Sequence, residues 1–96
     1  MITLEDCLAF SGLTDEEVKA IAEHEHIPEI AAAGLAQYLL CQTCGADRIR
    51  DMIVDDIIAA RQRNDARHAR ELVMVLRHFL EVHRAELHPS VLRPHA

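Results

Sequence analysis

Two short stretches of this sequence carry side chains suited to holding a metal ion or moving a proton. The first is Glu23-His24-Glu25-His26, followed by Glu29. Imidazoles and carboxylates ligate divalent ions, and imidazole changes charge near neutral pH. Alternate residues of a helix point to nearly opposite sides, so His24 and His26 could share one ion only where the helix breaks, before Pro28. Glu23 and His26 are spaced to share one helix face. The second stretch is Cys41-Gln42-Thr43-Cys44, immediately before Gly45. Two thiolates at this spacing suit one zinc ion or a redox pair.

The elements that must position these groups are all helical by pattern. Half of the 96 residues are apolar and only three are aromatic, so the core has to come from Leu, Ile, Val and Ala. Three glycines and three prolines supply too few turns for an all-β chain. The expected architecture is a small all-α bundle of about five helices, orthogonal or antiparallel, over 1–87, with an extended or disordered tail over 88–96.

Thr3 with Asp6 starts a short first helix that ends near Ser11-Gly12. Thr14 with Glu17 forms a capping box for a second helix, which runs out near Glu25 or His26. Pro28 opens a third, apolar on nearly every side from Ile30 to Cys41, expected as the buried centre and closed by Gly45. Two longer helices, roughly 46–63 and 66–87, fold back at Asn64-Asp65 as an antiparallel hairpin.

The hairpin brings distant residues together. Residues facing each other across it sum to about 129, which sets His83 near Ala46 and hence near Cys44. Cys41, Cys44 and His83 are therefore a candidate zinc or iron site, with His24 or His26 as a fourth ligand. The Glu23-x-x-His26 spacing resembles the metal-binding element of ferritin-like di-iron bundles. That resemblance implies iron on Glu23 and His26, completed by carboxylates from other helices. Asp56 is a third candidate, because it falls within the apolar arc of Ile49, Met52, Ile53, Ile57 and Ala60. A carboxyl there must find donors or keep a proton.

Leu8, Gly12, Leu13, Val18 and Ile21 are spaced as in the core of a helix-turn-helix, which that spacing resembles. The helix that would read DNA begins Thr14-Asp15-Glu16-Glu17, and such a surface repels phosphate. Nucleic acid is thus not the expected partner. The first 47 residues carry nine acids and one base, and the remainder seven acids and nine arginines. Mutual attraction of the two halves is the simplest expectation. The longest apolar run is too short to span a bilayer. With an odd cysteine count and no secretory pattern at the N-terminus, reduced thiols in the cytoplasm are expected.

Val54, Ile58, Met74, Val75 and Val82 fall outside the core stripes of the hairpin. A second apolar side suggests a homodimer through the hairpin. The leading functional expectation is a non-enzymatic interaction or regulatory module. The alternative is a metal-binding protein using zinc or iron at the sites above.

Overall fold

The structure, a computed structural model, describes residues 12–87. Four α-helices pack together: α1, Asp15–Glu25; α2, Glu29–Leu40; α3, Gly45–Gln62; and α4, Ala66–Val82, followed by a 3-10 turn, Arg84–Glu86. No strand occurs among the described residues. The all-α class is as the composition required. The expected first helix and the tail lie outside the described residues.

The capping box forms as the spacing dictates. Thr14 Oγ1 accepts from the Glu17 N–H at 3.2 Å, and the Thr14 N–H donates to Glu17 Oε1 at 3.0 Å. α1 stops at Glu25 because His26 turns into the left-handed region (φ 57°), its N–H bonding back to Ala22. α3 and α4 form the expected hairpin, turning at Asn64, which also takes positive φ. Asp65 caps α4 by accepting from the His68 N–H at 3.1 Å.

α1 and α3 each pack on all three other helices, whereas α2 packs mainly on α1 and α3. α3 buries Ile49, Met52, Ile53, Asp56 and Ala60, so the expected arc, Asp56 included, does face inward. The expectation of a buried central α2 is corrected. α2 buries Ala32, Ala33, Ala36 and Leu39, but Ile30 and Tyr38 are 52% and 61% exposed. An apolar helix without a polar face offers no pattern to say which side packs, and the side bearing the alanines and Leu39 packs while Ile30 and Tyr38 face out.

α4 is also shorter than the expected 66–87. At His83 the backbone leaves helical geometry, the ring stacks on Phe79 with centroids 4.5 Å apart, and the chain winds on as a 3-10 turn. The core face is rotated slightly as well, with Val75 packed against the core and Val73 exposed.

Gly45 opens α3 instead of simply closing α2. A Cβ at this position would lie 1.5 Å from the Leu39 carbonyl oxygen, which belongs to rigid backbone. Gly34, in contrast, has nothing within 4 Å of a Cβ. Gly45→Ala is therefore expected to force α2 and α3 apart and destabilise the fold by about 3 kcal/mol or more. Gly34→Ala should stabilise it by up to about 1 kcal/mol through helix propensity. Chemical denaturation of the two variants checks both signs.

Candidate functional site

The C-terminal end of α1 lies against α3 and α4, and it is held there by imidazole–carboxylate pairs. His24 on α1 stands between Glu25 Oε2, 2.7 Å from Nδ1, and Asp55 Oδ2 of α3, 3.0 Å from Nε2. His68 on α4 stands between Glu23 Oε1 of α1, 2.7 Å from Nε2, and Glu71 Oε1, 3.3 Å from Nδ1. A neutral imidazole has one N–H, so a ring with carboxylate oxygens at both nitrogens is satisfied only as imidazolium. The titration of both rings follows. Burial opposes the charge on His24, but the bonds to Glu25 and Asp55 outweigh it and raise the pKa. For His68 the bond to Glu23 is the main cause of a raised pKa.

A third pair lies one turn and more toward the start of α1. Glu17 is fully buried, and while Oε1 serves the cap of α1, Oε2 meets His78 Nδ1 of α4 at 2.6 Å. That bond raises the His78 pKa. One carboxylate thus ends a helix and fixes it to a neighbour.

Asp56 lies within this arrangement, only 4% exposed, and its Oδ2 has no hydrogen-bond partner. Burial, reinforced by the negative charges of Glu23 and Asp55 and only partly offset by His24 and His68, pushes its pKa up to about 7. The residue forms part of the wall of a cleft of about 230 Å³, shared with Glu23, His24, His26, Asp55, Ala59 and Arg63. Two stretches that read as separate candidates in the sequence, 23–26 and Asp56, therefore meet in one place. Asp55, Arg63 and His68 were not singled out. The i, i+1 pair Asp55-Asp56 was the available signal, since one member of such a pair on a half-buried helix must face inward or along an edge.

Each of the metal candidates has a definite place in the structure. Among the described residues, no group of three His, Cys, Asp or Glu side chains is arranged to hold a metal ion. Cys41 is exposed, and Cys44 is half-buried at positive φ where α3 begins. His83 is buried as its stripe implied, but Nδ1 meets Glu86 Oε2 at 2.8 Å and Nε2 has no partner. Glu23 is engaged by His68, and exposed His26 forms the left-handed end of α1. No helix among the described residues is long and apolar enough to cross a membrane.

On the outer side of the hairpin, Ile57, Arg61, Ala66, Ala69, Arg70 and Val73 line an open groove of about 250 Å³ between α3 and α4. Ile58, Val73, Met74 and Val82 remain exposed on these two helices.

Compared with known protein families, characterised proteins and solved structures, the chain matches none. Its functional reading rests on its own residues.

The imidazole pairs and Asp56 give stability a definite dependence on pH. His24, His68 and His78 bind protons more tightly folded than unfolded, so their contribution is full below about pH 6.5 and is lost as pH rises through their raised values. Asp56 acts in the same sense, because the folded state keeps a proton that the unfolded chain releases from pH 3.8 upward, until about pH 7. Melting temperature should therefore fall between pH 6 and pH 8. Asp56→Asn should raise stability at pH 8 by about 1–3 kcal/mol and flatten that slope. A melting temperature that climbs over this interval would contradict the assignment.

Proposed function

We propose that the protein is a non-enzymatic helical interaction module that pairs with a second copy of itself through the outer side of the α3–α4 hairpin. The carrying observation is the apolar surface left outside the completed fold, with Ile58 and Val73 exposed beside the groove between the two helices. Exposed apolar area of this kind on a small chain is buried by association.

The charge pattern on α3 favours a second copy as the occupant. Asp51, Val54, Ile58 and Arg61 follow one another at helical spacing on one side of α3. Laid antiparallel on itself about a two-fold axis, this stripe sets Val54 against Ile58 of the other copy. The same register sets Asp51 against Arg61, twice over. A self-complementary patch is what an isologous interface requires. Asp51 and Arg61 are both exposed, and Asp51 Oδ1 already accepts from Arg50 at 2.7 and 3.0 Å, so pairing of Asp51 with Arg61 across the axis steers register more than it adds affinity.

The reading goes with a reducing cytoplasmic setting, which the odd cysteine count suggests. What the dimer would then present to other macromolecules is the face of α2 bearing Ile30 and Tyr38, which the hairpin contact leaves uncovered.

Light scattering should give twice the chain mass at micromolar concentration. Ile58→Glu should weaken pairing at least about ten-fold, the effect of losing roughly 1.4 kcal/mol. Asp51→Arg should weaken it too, and Arg61→Asp in the same chain should restore it. A monomer for the unaltered chain, or a double variant no better than the single, would refute this interface.

A further inference from the structure

The arginines of α3 and α4 are not all matched by acids. Arg50 is joined to Asp47 and Asp51, and Arg67 approaches Glu71. Arg61 and Arg70 are exposed and make no hydrogen bond or ion pair among the described residues. Acids elsewhere on the two helices are taken: Asp65 caps α4, Asp55 meets His24, and Glu71 meets His68 as well as Arg67. Both free guanidiniums stand on the walls of the groove between α3 and α4, whose remaining lining is Ile57, Ala66, Ala69 and Val73. We infer that this groove binds a medium-chain aliphatic carboxylate, its charged end between Arg61 and Arg70 and its chain along the apolar floor.

The hairpin builds the two ends of the site. Its register sets Arg61 across from Arg70 and, one turn further from the bend, Ile57 across from Val73. Ala66 and Ala69 bring only methyl groups to the α4 wall, so a hollow remains between the helices. Two like charges facing each other repel, and no carboxylate in the lining relieves them. A ligand carboxylate does so, and a guanidinium holds it through two parallel N–H donors.

The floor narrows the class of ligand. Inorganic phosphate or a nucleic-acid backbone would leave Ile57 and Val73 in water, and the net charge of −6 opposes a polyanion. An alkyl chain covers these side chains. About 250 Å³ corresponds to roughly eight waters at about 30 Å³ each, room for a carboxylate of about six to eight carbons. The floor also turns away from the Val54–Ile58 stripe, with Ile57 lying about 100° round α3 from Ile58. The site is therefore complete within one chain and does not rest on pairing with a second copy.

Titration of the isotope-labelled chain with octanoate, followed by amide NMR at neutral pH, tests the site. Acetate, inorganic phosphate and octan-1-ol are the comparisons. Octanoate should bind with a Kd of about 1 mM or tighter and shift most the amides of Ile57, Ala66, Ala69 and Val73. Acetate and phosphate lack the chain and octan-1-ol the charge. Each should bind at least about ten-fold more weakly, the scale of one lost charge-assisted hydrogen bond. Arg70→Gln, outside the pairing stripe, should weaken octanoate by the same factor and leave octan-1-ol unchanged. Ala66→Glu is the sharper variant. Its carboxylate stands one turn before Arg70 and pairs with it, and an acid in the first turn favours α4. Octanoate binding should then be lost from a chain that melts no earlier. Four outcomes overturn the proposal: no shift of the groove amides at about 10 mM octanoate, largest shifts outside α3 and α4, phosphate or octan-1-ol bound as tightly as octanoate, or undiminished binding by Ala66→Glu.

Discussion

The placement of α1 depends on imidazole–carboxylate pairing as well as on apolar contact. Its apolar stripe is narrow, with Val18, Ala20 and Ile21 buried beside Leu13. Such a stripe can slide or rotate on its neighbours at little cost, because small side chains make shallow ridges. Glu17 to His78, Glu23 to His68 and His24 to Asp55 tie successive turns of α1 to two different helices. These pairs are directional, so together they fix both the register and the rotation of α1. The cleft exists because of that fixation, since its wall takes residues from α1 and α3 on opposite sides.

The choice of imidazole as the cation has a consequence for charge. The sequence divides into an acidic front and a mildly basic back, and attraction between them was the simple expectation. The cross-helix contacts do join the halves, but the back half contributes His68 and His78, and in one case an acid, Asp55, to a histidine from the front. Most of the arginines of the back half, among them Arg61, Arg67, Arg70, Arg77 and Arg84, stay at the surface. An arginine in place of either histidine would hold α1 equally at all ordinary pH values. Histidine makes the attachment depend on protonation, and Asp56 beneath it titrates in the same region.

How far the sequence could be read depended on whether a residue's partner was near it in the chain. The capping box was legible because Thr14 and Glu17 are each other's partners within one turn. The hairpin was legible because Asn64-Asp65 interrupts two long amphipathic stripes, and the inward position of Asp56 followed from the same periodicity. The burial of α2 was misread for the converse reason. Its composition is apolar all round, so periodicity carried no information about which side would pack. The His68–Glu23 and His78–Glu17 pairs span 45 and 61 residues, and no local pattern announces a contact between an exposed histidine and a distant acid. A hairpin register says which residues face each other across two helices, but it does not say where Cys41, which lies before the first of them, will point.

Two surfaces follow from this arrangement, and they lie on opposite flanks of α3. One flank carries Asp55, Asp56 and Ala59 toward α1, where packing is incomplete and charged groups are trapped against one another. The other carries Ile57 and Arg61 toward the outer side of α4, where apolar side chains are left uncovered. Both flanks sit on one rod, so the rotational setting of α3 has to serve them together: a turn that brought Asp55, Asp56 and Ala59 closer to α1 would carry Ile57 and Arg61 away from their place beside Val73.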